Sequence, residues 1–122
     1  MGTISYIAPE IHEGKPYDKA VDIWSLGIIL YFMLSGTLPF EGEDDKDRVR
    51  KIIKCKLEFK DDAWLIVSPE AIDLISKMVV KNPNKRINIK SIIMHEWLKG
   101  IPIKEDGFAK RISTIDIVPL YN

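Results

Sequence analysis

Between Ala20 and Gly36 the chain reads AVDIWSLGIILYFMLSG, and apolar residues recur there on every face that a helix could present. Asp18 stands where an N-cap would, and Gly36 stands just past the last periodic residue. The pattern predicts a helix whose whole circumference is meant to lie against other protein. Asp22, Ser25 and Gly27 interrupt the apolar run in its first half, and what remains is shorter than the ~20 residues a membrane span needs. The expectation is a buried central helix, with the other segments as its coat.

Those segments carry narrower stripes. Residues 1–17 hold Gly2, Pro9, Gly14 and Pro16 and read as an irregular loop, with at most a helical turn around Pro9–His12. Leu38-Pro39-Phe40 turns the chain, and an acidic stretch follows from Glu41 to Asp47. A helix is predicted from about Asp45 to Cys55, with Val49, Ile52 and Ile53 on one side and Arg48, Arg50, Lys51 and Lys54 on the other. Its acids come first and its bases last, the order the helix dipole favours. Leu57 to Val67 reads as a loop anchored by Phe59 and Trp64. Ser68-Pro69-Glu70 is a helix start, with Ser as cap and Pro in the first turn. Ala71, Ile72, Ile75, Met78 and Val79 then recur at helical spacing until Asn82-Pro83. Asn88 caps a last helix expected to run through Leu98, with Ile89, Ile92, Ile93 and Trp97 inward and Gly100 as its stop. Residues 101–122 have no sustained period, yet Ile101, Phe108, Ile112 and Leu120 make them too apolar for a solvated tail. The fold class is all-α, with one helical unit over 1–100 and an apolar extension over 101–122.

Charge narrows the partners. Lys+Arg and Asp+Glu both number 18, so no net field draws the chain to nucleic acid or to an acidic membrane. The single cysteine, Cys55, can form no internal disulfide, and a reducing, cytoplasmic setting fits it.

Candidate chemistry is sparse. His12 and His95 lie far apart without ligand-like spacing, which favours surface or packing roles. The run Glu41–Asp47 lacks the glycine and terminal Glu of a calcium loop and reads as a solvated helix entrance. Neither a Gly-rich phosphate loop nor a nucleophile elbow occurs in these 122 residues. Three charges stand among apolar neighbours. Asp22 falls in the first turn of the central helix, where a carboxylate needs donors. Glu10 and Arg86 flank apolar segments, and a buried Glu with a bidentate Arg would satisfy both; spacing alone leaves that pairing open.

GTISYIAPE (Gly2–Glu10), DIWSLG (Asp22–Gly27), LPF (Leu38–Phe40) and KNPNKRI (Lys81–Ile87) stand in an order and at distances that resemble the second half of a Ser/Thr protein kinase domain. His95-Glu96-Trp97-Leu98 resembles that domain's closing segment, and VSPEAIDLISKMVVKNPNKRI is most similar to the calcium/calmodulin-dependent and calcium-dependent kinase group. The resemblance implies a partial protein-kinase-like fold, a piece of the helical lobe. It implies that Glu10 pairs with Arg86 and fixes the activation segment, and that Asp22 anchors the catalytic loop. It places Gly2, Thr3, Ile4 and Ile7 on the substrate side, with Thr3 beside the catalytic Asp and Lys. Ile4 and Ile7 would line the pocket for the residue after the phosphoacceptor. Phe32 stands where many basophilic kinases carry a Glu, so a preference for substrate arginine is not implied.

The parts that hold ATP and magnesium in that family, among them a Gly-rich loop, a His-Arg-Asp loop and an Asp-Phe-Gly site, do not occur in this sequence. No catalytic, cofactor-binding or metal residue is therefore assigned to it, and ATP and magnesium are implied for a full-length parent. The expected function is the substrate-docking and scaffold portion of such a kinase, inactive alone, with a protein or peptide substrate as partner. The alternative is a non-catalytic interaction module from a truncated kinase or pseudokinase. A central helix coated on one side only would also leave an apolar face for self-association.

Overall fold

A computed structural model describes residues 3–99, and among these every regular element is helical. The α-helices are α1 (Pro9–His12), α2 (Ala20–Ser35), α3 (Asp45–Lys54), α4 (Pro69–Met78) and α5 (Ile89–Ile93). Short 3-10 turns occupy Thr3–Tyr6, Asp62–Ile66, Pro83–Lys85 and Glu96–Leu98. The extension over residues 101–122 and the stop assigned to Gly100 lie outside the described residues.

Local chemistry sets most of the boundaries. Asp44 caps α3 by accepting the Asp47 N–H at 2.8 Å, Ser68 caps α4 through the Ala71 N–H at 3.2 Å, and Asn88 caps α5 through the Ser91 N–H at 2.8 Å. Helix α2 ends at Gly36, whose left-handed φ of 78° lets its N–H reach the Phe32 carbonyl at 2.7 Å. Helix α3 ends at Cys55, which adopts the same conformation at φ 53° without being glycine. The start of α2 departs from expectation. Lys19 is the boundary residue, and the Asp18 carboxylate takes the Ala20 N–H, at 3.0 Å.

Two apolar clusters meet on α2. Val21, Trp24, Ile28 and Tyr31 recur along one stripe and pack with Ala8, Leu38, Phe40, Ile52, Trp64, Ile75 and Val79. Ile23 joins Leu74, Met78 and Ile92 in the second cluster, against which Leu26 and Leu30 are packed. At Gly27 the helix lies so close to α4 that an added Cβ would stand 2.7 Å from Val79 Cγ2 and 2.9 Å from Met78 Cβ. Aromatic rings fill the far end: Phe59 meets Trp64 edge-on at 4.8 Å, and both lean on Tyr31.

Coverage of α2 is partial, as expected of an all-apolar helix coated on one side only. The described elements seal two stripes, while Ile29 is only half-buried and Met33 is 71 % exposed. The last helix is corrected. It stops at Ile93, His95 takes an extended conformation, and a 3-10 turn replaces the continuation through Leu98. The cause is the His95 side chain, whose Nδ1 accepts the Trp97 N–H at 3.1 Å and caps a new turn instead of extending the old one. The segment read as loop between Leu57 and Val67 contains the turn Asp62–Ile66, which buries Trp64. No described helix is long and apolar enough to cross a membrane.

Candidate functional site

The described residues that the sequence marks for function gather where the N-terminal segment crosses the start of α2. Arg86, in the loop between α4 and α5, lies beneath that crossing with its side chain fully buried, and the Glu10 side chain is 5 % exposed. The guanidinium donates Nη1 to Glu10 Oε2 at 2.8 Å and Nη2 to Glu10 Oε1 at 3.0 Å. Its other N–H groups reach backbone carbonyls: Nε to Val80 at 2.9 Å, Nη1 to Ala20 at 2.8 Å and Nη2 to Lys81 at 3.2 Å. All five donors are thus engaged. A bidentate pair with every remaining N–H answered is the arrangement in which burying two charges is tolerable. The ring of Trp24 lies 5.5 Å from the guanidinium carbon, and its indole stacks on Phe40 at 5.8 Å. One residue therefore ties α1, the first turn of α2 and the chain after α4.

Upstream of Glu10 the 3-10 turn Thr3–Tyr6 is held at two carbonyls. Ser25, buried on α2, donates its hydroxyl to the Tyr6 carbonyl at 2.5 Å; its other close acceptor, the Val21 carbonyl, is farther at 3.2 Å. His12, the last residue of α1, donates Nε2–H to the Ile4 carbonyl at 3.2 Å. Burial pushes the His12 imidazole below its ordinary pKa, and the Ile4 carbonyl pulls it part of the way back. The Tyr6 phenol is pushed up by burial. Ile4 and Ile7 are half-buried along this tied backbone, and Ile4 packs against the first apolar cluster. Thr3 begins the turn, and Gly2 lies outside the described residues. Asp22 is half-buried in the first turn of α2, two residues beyond the Ala20 carbonyl that Arg86 grips.

Sequence reasoning pointed to Glu10, Arg86, Asp22, Ile4 and Ile7 and missed Ser25, His12 and Trp24. A Ser inside an apolar helix is the one local signal that could have found Ser25. His12 and the Arg86 carbonyl acceptors leave no such mark, because a backbone acceptor has no residue type. The chemistry of this arrangement is anchoring: a short turn held by side-chain donors beside a buried ion pair.

The chain matches the family described as protein kinase domain over residues 1–98. It is 40 % identical over 100 residues to Calcium-dependent protein kinase 21 of Arabidopsis thaliana, an overlap covering 82 % of this chain and 19 % of that protein. It is 39 % identical over 99 residues to Calcium/calmodulin-dependent protein kinase type 1B of Rattus norvegicus, covering 81 % of this chain and 29 % of the relative. Among solved structures, the twitchin kinase region from C. elegans superposes with a TM-score of 0.78 at 33 % identity, over 96 % of this chain and 22 % of the other. The chain spans less than a third of the length of each of these proteins.

Proposed function

The chain belongs to the protein kinase domain family, and from that premise we propose that it is the substrate-docking and scaffold side of a Ser/Thr kinase helical lobe. In the full-length parent, Gly2, Thr3, Ile4 and Ile7 meet the substrate peptide, and Ile4 and Ile7 receive the residue after the phosphoacceptor. Glu10 and Arg86 anchor the end of that segment, and Asp22 holds the backbone of the catalytic loop. Transfer of the ATP γ-phosphoryl to a protein Ser or Thr belongs to the parent, in the cytoplasm, and this chain alone has no such activity.

The observation that carries the reading is the tied turn. Ile4 and Ile7 offer apolar surface on a backbone fixed at the Ile4 carbonyl by His12 and at the Tyr6 carbonyl by Ser25. A peptide docking there meets a wall that has already lost its conformational freedom, so little ordering cost remains to be met on binding. Among the described residues no group of three or more His, Cys, Asp or Glu could hold a metal ion. The reading places the magnesium–nucleotide site in other parts of the parent.

Grafting tests the reading. This chain replaces the matching segment of Calcium/calmodulin-dependent protein kinase type 1B, and the chimera is assayed on a library of Ser- and Thr-containing peptides. Phosphorylation by the chimera, with none by this chain alone, is the expected result. A folded, ATP-binding chimera that phosphorylates no peptide in the library would overturn it.

A further inference from the structure

Ile4 and Ile7 are linked through one backbone atom. The Ile4 carbonyl accepts the Ile7 N–H at 3.2 Å, the bond that folds Ile7 back beside Ile4. The same oxygen accepts the His12 Nε2–H, also at 3.2 Å. A carbonyl oxygen can only accept, so Nε2 carries the proton in this contact, and both lone pairs of the oxygen are taken. His12 is itself well anchored. It ends α1, whose second residue is the buried Glu10, and its own N–H reaches the Ala8 carbonyl at 3.3 Å. The far end of the turn is fixed independently by Ser25. The Ile4 side chain packs against the first apolar cluster, and the His12 bond adds a second hold, on its backbone carbonyl, from a side chain reaching back along the sequence.

Resting on the docking reading above, we propose that His12 is a positioning residue that fixes the Ile4 wall and thereby selects the amino acid accepted directly after the phosphoacceptor. The ligand class is a peptide with an apolar side chain at that position, matching the apolar Ile4 and Ile7. Were His12 only a space-filler, a ring without a donor would serve as well. The contact to a carbonyl that already closes the turn is what separates the two roles. Without the donor, the Ile4 carbonyl keeps only its bond from Ile7, the wall can tilt, and discrimination among following residues falls.

The same chimera supplies the test, read with peptides that differ only at the residue after the acceptor. For the best peptide, His12→Leu is expected to raise KM about three- to ten-fold, the size of one lost hydrogen bond, with kcat near that of the parent chimera. The spread of kcat/KM between the best and worst following residues should narrow at the same time. His12→Gln, whose side-chain amide can donate to the Ile4 carbonyl, should restore both; His12→Asn, too short to reach, should not. If the Leu variant fails to fold, the Gln and Asn pair decides the matter alone. Identical KM values and residue rankings across these variants would overturn the role of His12 while leaving the docking reading intact. A uniform loss for every peptide would mark a merely structural residue and overturn it too. A chimera with the unaltered chain that phosphorylates nothing overturns the docking reading and this role together.

Discussion

A guanidinium with every N–H engaged cannot be replaced by a cation with a different shape. Arg86→Ala strands the buried Glu10 carboxylate, and its expected cost is about 3–5 kcal/mol. Lys85, its exposed neighbour, should cost no more than about 0.5 kcal/mol when changed to Ala. Arg86→Lys belongs nearer the first figure than the second, since one ammonium cannot reach Glu10, Ala20, Val80 and Lys81 together. Urea unfolding midpoints of the three variants check this ordering. Cys55 makes the opposite kind of statement. Burial pushes its thiol up from an ordinary 9.0 to about 11, so at pH 8 the folded chain holds very little thiolate there. Alkylation by iodoacetamide at pH 8 should therefore be slow in the native chain and speed up sharply in urea; equal rates would show the thiol unprotected. The Glu10–Arg86 partnership was open to sequence reasoning because two opposite charges among apolar neighbours demand an explanation. His12 was not, because an imidazole facing a carbonyl pairs with no particular residue type, and Ser25 left only the mark of a serine inside an apolar helix.

At the scale of elements, the crossing of α2 on α4 is the tightest constraint. Gly27→Ala brings a helix-propensity gain of about 1 kcal/mol, set against an added Cβ that meets another fixed Cβ, that of Met78, at 2.9 Å. Overpacking of this kind typically costs about 1–3 kcal/mol, and here it can be relieved only by moving a backbone, so the net sign is destabilising. A lowered thermal midpoint checks it. The break after α5 rests on His95, which donates Nε2–H to Asp73 at 2.7 Å while Nδ1 caps the turn. His95→Ala should cost about 1 kcal/mol through the lost cap, and His95→Asn should recover most of it, as read from denaturant midpoints. The Asp73 carboxyl is held below its ordinary range, first by Lys77 and then by His95. Its contribution to stability is therefore complete above the ordinary Asp value and is lost as the pH falls through the depressed one. Periodicity revealed every long helix, and local signals revealed the Ser68 and Asn88 caps, whereas the Asp expected to cap α2 does not and the Asp44 cap of α3 was not singled out. It could not reveal the break at His95, whose cause lies partly on α4, 22 residues away.

At the scale of the whole molecule, large apolar side chains stay in contact with water. Met33 is 71 % exposed on α2, and Leu65 and Ile66 are 83 % and 92 % exposed on the turn that carries Trp64. Exposed apolar patches favour association, so light scattering of the isolated chain should rise with concentration, and a Met33→Ser, Leu65→Ser, Ile66→Ser triple variant should lower it. A monodisperse parent chain at every concentration would refute that account. The all-apolar α2 pattern correctly implied a central helix, but a sequence pattern records which faces avoid water and not which neighbour covers each. The ion pair has a last consequence, for the order in which the chain assembles. Glu10 and Arg86 stand 76 residues apart, and closing so wide a loop is entropically costly until the intervening helices have docked. The pair is then expected to close late, after the folding transition state. Arg86→Ala should quicken unfolding in stopped-flow experiments and leave the refolding rate nearly unchanged, whereas a slowed refolding limb would place the pair in the nucleus.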